Sequence, residues 1–256
     1  MNLNYWIEHF RRNALDRPEP DWDAPLVMSG PPLEKLVKSL QQFQLGDGGG
    51  PAYLIAWNHR RLLASDVGFK TLVDLWFKEE EGHSRLLGEA LKRFKTPEIQ
   101  SHWSFEFFCG VRRIAGVSFE LYALLLTEIT SHVYYKMTAK HCPDPAVKGM
   151  CALINRDEAG HIAFHRARLC SEGARFGRGY GKCWEFFFRL RGLAAGTVLW
   201  VNHRGALRGM GATDREFYSG IWRGMSGFIR GLREDMLRQG AGRPAKPCAE
   251  VVAECC

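Results

Sequence analysis

Two Glu-x-x-His motifs, each in an otherwise apolar helical stripe, constrain this chain more than any other feature of its sequence. The first is Glu80/His83 and the second is Glu158/His161. Residues three apart on a helix face the same side, so each motif can present a carboxylate and an imidazole to one point. The chain has 256 residues, of which 46% are hydrophobic, enough for a sizeable core. The fold must therefore bury these polar pairs and neutralise them.

Gly and Pro clusters divide the chain into helical segments, and the sequence shows no convincing β pattern. The predicted helices are 3–14, 33–45, 52–64, 67–94, 103–141, 145–174, 182–204 and 213–238. Three of them, which carry the two motifs and Glu128, place polar residues in the middle of apolar stripes. The sequence predicts an all-α fold, with residues 1–240 as a single domain and 241–256 as a flexible tail.

Buried carboxylates on these stripes need a partner. An ionised carboxylate in an apolar interior costs many kcal/mol unless it is paired, protonated or bound to a metal. Arginine and lysine on the same stripes are too few to neutralise them, whereas two divalent cations would collect all the polar groups at once. Carboxylate and imidazole ligands suit iron or manganese. We predict five metal ligands: Glu80, His83, Glu128, Glu158 and His161. The alternative is a metal-free bundle whose core polar residues are satisfied by one another.

The segments KEEEGHSRLLGEAL, LLLTEITSHVYYKM and INRDEAGHIAFHRARL resemble the ferritin-like di-iron carboxylate superfamily. They look closest to the branch that holds acyl-carrier-protein desaturases and ribonucleotide-reductase-like proteins. The resemblance covers roughly residues 40–175. It implies a ferritin-like four-helix bundle with additional N- and C-terminal helices, and two iron ions, or a manganese–iron pair, on the five predicted ligands. It also implies that the two single carboxylates complete or bridge the metal pair.

The sixth ligand is the least regular part of the pattern. The family expects a carboxylate on the first core helix, but the segment 51–64 contains none. If that segment folds back antiparallel to the next helix, the position opposite Glu80 falls near residues 47–54, where Asp47 is the only carboxylate. We take Asp47 as the sixth ligand. The alternative is an aspartate that caps a helix or a turn.

Three further residues border the predicted ligands. Asp157 is implied as an outer partner that holds the free ring nitrogen of His83, with a surface ion pair as the alternative. His132 lies one turn beyond Glu128 and is a weaker candidate for an additional nitrogen ligand. His165 is a weaker candidate still. For both histidines, a hydrogen-bonded core or channel residue is the alternative.

The predicted function is a non-haem di-iron oxidase or oxygenase, an enzyme with no catalytic residue beyond the metal ligands. It would desaturate, hydroxylate or N-oxidise an apolar or carrier-bound substrate. A ferroxidase or peroxide reductase of the ferritin–rubrerythrin kind is the second hypothesis, which the lack of Cys-x-x-Cys pairs disfavours. A metal-free helical binding module is the third. Some aromatic residues are candidates either for a substrate pocket or for ordinary core: Trp76, Phe77, Phe119, Tyr122 and Phe164.

Charge and cysteine content suggest partners and location. The net charge is +7, and fourteen Lys/Arg against six Asp/Glu lie between Arg166 and Arg238. Such a surplus suits an acidic carrier protein or an external electron donor such as ferredoxin, or is simply a solvated surface. Nucleic acid is less favoured because no aromatic platform accompanies the charge. A homodimer is an open alternative. We expect a cytoplasmic protein without a membrane span. The chain has eight cysteines, and we expect the internal ones to be buried as small hydrophobic residues. The Cys-containing tail is not assigned a role.

Overall fold

The computed structural model describes residues 1–48, 53–176 and 181–241, with residues 174–176 as backbone. Every regular element within these ranges is a helix, which confirms the predicted all-α fold. The helices are α1 (Leu3–Leu15), α2 (Gly30–Asp47), α3 (His59–Ser65), α4 (Val67–Arg93), α5 (Trp103–Arg113), α6 (Val117–His141), α7 (Pro145–Phe176), α8 (Lys182–Gly209) and α9 (Asp214–Gly240). The predicted flexible tail, apart from its first residue, lies outside the described residues.

The central bundle consists of α2, α4, α6 and α7, and its first pair is antiparallel. Gln41 of α2 donates to the carbonyl oxygen of Pro97, just beyond the end of α4. Gln44, one turn later in α2, donates to Ser84, well inside α4. Residue numbers therefore rise along α2 while they fall along α4.

The second pair is joined by a connection too short for anything but an antiparallel hairpin, since α6 ends at His141 and α7 begins at Pro145. Pairing of Arg93 with Asp144, and of His83 with Asp157, shows that α4 and α7 are also antiparallel. It follows that α4 and α6 run in the same direction. The segment between them, which includes α5, must cross the length of the bundle, a single long crossover between two helical hairpins.

Helices from both ends of the chain cover this bundle, as the sequence predicts. The first helix packs on α4, the α8 helix packs on α2 and α6, and α9 packs on α6 and α7. Apolar side chains drive this packing, because α8 and α9 bury Phe188, Trp200, Phe217 and Ile221 in the main core cluster. The bundle interior is therefore shielded on several sides by added helices.

The predicted helix 52–64 is wrong over residues 53–58, because α3 begins only at His59 and spans His59–Ser65. The buried carboxylate of Glu120 accepts hydrogen bonds from the backbone amides of Ile55 and Ala56, at 2.8 and 2.9 Å. Arg112 pairs with the same carboxylate at 2.9 Å. These long-range bonds satisfy the amides outside a helix, so the apolar pattern of the segment builds a buried loop. The first core helix is α2 instead.

The predicted helix 103–141 is two helices. It breaks around Gly116, which has an extended backbone and precedes α6. The side chain of Asn58 accepts a hydrogen bond from the amide of Val117 at 2.9 Å. A Cβ at residue 116 would come within 3.1 Å of the Asn58 amide group, so glycine allows this approach. The α6 helix thereby gains a cap from a distant loop.

None of the described helices combines the length and apolarity needed to cross a membrane. Four internal cysteines, at 109, 142, 151 and 170, are buried as predicted, whereas Cys183 is exposed at the start of α8.

Candidate metal centre

The structure brings all five predicted ligands, the four motif residues and Glu128, together at the middle of the bundle. Glu80 and His83 come from α4, Glu128 from α6, and Glu158 and His161 from α7. Both imidazoles are completely buried, and the carboxylates of Glu128 and Glu158 are nearly so. Helical i, i+3 spacing places each pair on the inner face of its helix, as the sequence predicts.

The ring nitrogen Nδ1 of His161 lies at the centre of one group of ligands. Its distances are 3.1 Å to Glu80 Oε1, 3.2 Å to Glu128 Oε2 and 4.0 Å to Glu158 Oε2. Single ligand atoms of Glu80, Glu128 and His161 all lie within 4.8 Å of one another. Three oxygen and nitrogen donors at this separation can converge on one cation.

The second group forms around Nδ1 of His83. That atom lies 3.4 Å from Glu80 Oε2 and 3.9 Å from Glu158 Oε1. Asp47, the predicted sixth ligand, joins Glu80 and His83 with donor atoms within 4.8 Å of one another. Asp47 is the last residue of α2, so the structure brings the predicted residue to the cluster from a different helix than the sequence predicts.

The two motif glutamates, Glu80 and Glu158, span both groups. One oxygen of each faces the His83 ring and the other faces the His161 ring. Asp47 belongs to one group and Glu128 to the other. Each motif glutamate could therefore contact an ion in either group and each single carboxylate an ion in one group, whereas the resemblance implies that the single carboxylates complete or bridge the pair.

Charge in this cluster is balanced by large pKa shifts. Burial opposes the charged form of His83, but the Asp157 and Glu80 carboxylates beside the ring outweigh it and raise its pKa to about 10. Burial likewise opposes the charge on His161, yet Glu128 and Glu80 raise its pKa well above the usual value. Burial, together with the neighbouring carboxylates, raises the pKa of Glu158 well above its ordinary range. Without a metal, the protons on the two imidazoles and on Glu158 balance the negative charge of the cluster, which bound cations would otherwise balance.

Among the buried polar atoms that lack a hydrogen-bond partner in the described part of the chain, two belong to the five predicted ligands: His83 Nδ1 and Glu158 Oε2. Both belong to the cluster, and both face the space between the motifs. Buried polar atoms are normally satisfied, so an unpaired one needs an explanation, and a bound ion is one such explanation. The donor set of four carboxylates and two imidazoles fits two divalent iron or manganese ions.

Each of the two motif imidazoles is bound on its outer side by a carboxylate that precedes the other motif. Asp157 accepts from Nε2 of His83 at 3.1 Å, as predicted. Glu79, which the sequence reasoning missed, pairs with Nε2 of His161 at 3.0 Å. Each of these carboxylates immediately precedes a motif glutamate. The position of Asp157 relative to Glu158 is therefore the same as that of Glu79 relative to Glu80. These bonds direct both Nδ1 atoms toward the centre of the cluster.

The segment after α1 reaches the back of one imidazole. Arg17 donates to Asp157 Oδ2 at 2.6 Å, and Arg156 approaches the other oxygen at 3.2 Å. Burial opposes ionisation of Asp157, but His83 and the two arginines lower its pKa to about 2. Asp157 therefore stays an anion and keeps a proton on the outer nitrogen of His83.

Two aromatic residues hold ligand oxygens directly. The indole of Trp76 donates to Glu80 Oε1 at 3.1 Å. The phenol of Tyr135 donates to Asp47 Oδ2 at 3.3 Å. Sequence spacing places Trp76 one turn before Glu80 and could have revealed the first bond. The second joins different helices and has no local signal.

No protein-family model, curated protein or solved structure matches this chain. What the site can do follows from its own geometry.

A cavity of about 330 Å³ opens beside the cluster. Four predicted ligands line it: Asp47, Glu80, Glu128 and Glu158. Its other walls are mainly apolar and rich in aromatic side chains: Phe43, Trp76, Phe77, Phe105, Phe107 and Phe108. A molecule in this cavity would touch the carboxylates directly.

Other candidate residues lie elsewhere. His132 lines a separate groove of about 1020 Å³ between α6, α7 and α9, and it belongs to neither ligand group. His165 is buried against Trp76, with ring centres 5.1 Å apart, and is likewise outside the groups. Of the five aromatic residues proposed for a pocket, only Trp76 and Phe77 line the cavity. Phe119 is partly exposed at the surface.

Proposed function

We propose that this protein is a ferritin-like di-iron oxidoreductase that uses dioxygen to oxidise an apolar substrate. The observation that supports it best is the cavity whose wall includes four of the six predicted ligands. A storage protein or a purely structural metal site needs no apolar chamber beside its carboxylates. Two hairpins joined by one long crossover are also the arrangement of ferritin-like bundles.

Six residues would hold the metal pair. His83 and Asp47 would bind one ion, His161 and Glu128 the other, and the motif glutamates Glu80 and Glu158 would bridge them. A bound iron pair would supply the reduction of dioxygen.

The remaining residues orient and shield this site. Asp157 and Glu79 fix the ring orientation of the two imidazoles. Trp76 holds one oxygen of Glu80 and forms part of the cavity wall, so it can position substrate and ligand together. The aromatic walls exclude water and favour an apolar substrate.

An external electron donor is part of the proposal. Reduction of dioxygen to water, or to water and a substrate hydroxyl, takes four electrons in all. Oxidation of one substrate bond supplies two, so a donor must supply two more. An acidic donor such as ferredoxin, and a small-molecule or carrier-bound substrate, remain predictions. A homodimer and a cytoplasmic location also remain predictions.

Anaerobic loading with Fe(II), followed by exposure to oxygen, tests the proposal. We expect two Fe(II) per chain to be oxidised with the absorption band of a ferric pair. Dioxygen uptake should then continue only when a chemical reductant is present. Glu158→Ala should abolish both signals. Glu89→Ala, which removes an exposed carboxylate from α4, should leave them unchanged.

Three results would contradict this function. Continued oxidation of Fe(II) beyond two per chain would indicate a ferroxidase. Rapid consumption of peroxide in place of dioxygen would indicate a peroxide reductase. A metal content near zero after expression in iron-replete medium would indicate a metal-free binding module.

A further inference from the structure

The cavity beside the cluster has a second polar feature, contributed by α8. His203 and Asn202 line it, together with hydroxyl-bearing residues of α6. His203 is buried and packs against Phe43, with ring centres 4.7 Å apart. Phe43 lies one helical turn before Asp47 in α2. The imidazole of His203 and the carboxylate of Asp47 therefore line the same cavity about one turn apart.

A hydrogen-bond chain fixes the His203 ring. Ser39 Oγ lies 2.8 Å from His203 Nδ1 and 2.6 Å from the hydroxyl oxygen of Tyr134. All three side chains are buried. Because Nδ1 is engaged by Ser39, Nε2 is the ring nitrogen available to a molecule in the cavity.

Either hydroxyl can be the donor in the bond between Tyr134 and Ser39, and the tautomer of His203 sets the direction of the second bond. When Tyr134 donates to Ser39 and Ser39 donates to His203 Nδ1, the proton on a neutral ring resides on Nε2. Burial, with a small contribution from His102, lowers the pKa of His203 to about 3, which keeps the ring neutral near pH 7. In this tautomer the cavity is offered one N–H donor.

Charge in the wall selects against anions. Four carboxylates line the cavity, and Arg112 is the only lysine or arginine among its described lining residues. That guanidinium is already held by Glu120 and by the backbone oxygen of Tyr53. An anionic ligand would therefore find no unpaired lysine or arginine among the described lining residues.

We infer that His203 is a specificity-determining residue that anchors a neutral, apolar substrate through a hydrogen-bond acceptor, such as the oxygen of a ketone or amide. This inference rests on the proposed function only in calling the bound molecule a substrate, because the binding itself requires no metal. The His203 Nε2–H donates to the acceptor oxygen. The aromatic wall then directs the rest of the molecule past the ligand cluster.

Three matched naphthalene probes test this inference by fluorescence titration of the full chain: 2-acetylnaphthalene, 2-ethylnaphthalene and 2-naphthoate. The ketone should bind about threefold to tenfold more tightly than the hydrocarbon, which is the effect of one hydrogen bond between neutral groups. The carboxylate should bind most weakly. In His203→Leu the preference for the ketone should vanish while the hydrocarbon still binds, which also reports that the cavity is intact.

Two further variants sharpen the test. His203→Gln keeps an N–H donor and should retain part of the preference, and Ser39→Ala should reduce it by releasing the ring. His59→Leu, which removes a histidine outside the cavity, should leave it unchanged. Equal binding of ketone and hydrocarbon to the unmodified chain, or binding of neither, would overturn the inference. Metal content measured on the same samples tests the proposed function separately.

Discussion

Histidines buried at the ligand cluster and on the α8 side of the neighbouring cavity have opposite electrostatic surroundings. At the ligand cluster, carboxylates surround His83 and His161 and raise their pKa values despite complete burial. On the α8 side, His203 is also buried, but Ser39 and Phe43 lie beside its ring, and burial lowers its pKa to about 3. The difference shows that neighbours, rather than depth, decide whether a buried imidazole is charged.

This contrast separates two roles. A charged cluster of carboxylates and imidazoles can exchange its protons for metal cations, which is what a metal centre requires. A neutral imidazole held by Ser39 can only donate or accept one hydrogen bond. The ligand cluster is therefore suited to chemistry and the His203 position to recognition.

The largest expected effect comes from Glu80, because it belongs to both ligand groups. We expect Glu80→Ala to lose both metals and Asp47→Ala to lose about one of the two. Elemental analysis after loading with Fe(II) or Mn(II) and desalting measures this. Glu89→Ala is the control on the same helix. Equal metal content in the Glu80 and Asp47 variants would show that Glu80 is not shared.

A smaller effect is expected at the carboxylates behind the imidazoles. Asp157→Asn and Glu79→Gln should each weaken metal binding about 10- to 100-fold, because such partners orient the ligand and raise its basicity. Competition with a chromophoric chelator for Co(II) measures the affinity. If Glu79→Gln binds metal as tightly as the unmodified chain, the contact between Glu79 and His161 does not contribute to metal binding.

Arg17 tests whether the segment after α1 stabilises the cluster. Arg17→Ala removes a charged hydrogen bond to the fully buried Asp157, and we expect the free energy of unfolding to fall by about 2 kcal/mol. Arg85→Ala, which breaks an exposed pair with Glu19, should cost less than about 1 kcal/mol. Urea denaturation of both variants makes the comparison. Equal losses would contradict a special role for Arg17.

The smallest effect concerns the pH dependence contributed by His203. Its folded pKa lies below the unfolded value of 6.5, so the unfolded chain binds the proton more readily. Its contribution to stability is complete above pH 6.5 and is lost as the pH falls toward 3. The stability difference between the unmodified chain and His203→Gln should therefore shrink by about 1 kcal/mol between pH 7 and 5.5. A constant difference would mean that folding does not lower the pKa of His203.

Local spacing accounts for what the sequence predicts well. Both motifs and Glu128 depend on helical periodicity and on the need to neutralise buried carboxylates, whereas the contact of Asp157 with His83 joins two helices and is implied by the family resemblance. Glu79 has the same register as Asp157, so a stricter use of the same pattern would have found it.

Long-range contacts account for what the sequence does not predict. The loop held by Glu120 and the cap given by Asn58 join residues about sixty positions apart, and no local pattern encodes them. They explain why the helix at 52–64 is short and why 103–141 is broken. Arg17 and the Ser39–His203 contact are similarly distant pairings, which only the assembled bundle brings together.

The most direct test of the metal centre is anomalous X-ray scattering from crystals loaded with Fe(II) or Mn(II). We predict two peaks per chain: one between Asp47, Glu80 and His83, the other between Glu80, Glu128 and His161, with Glu158 facing both. A single peak would contradict a dinuclear centre. No peak in this cluster at full metal loading would contradict the account altogether.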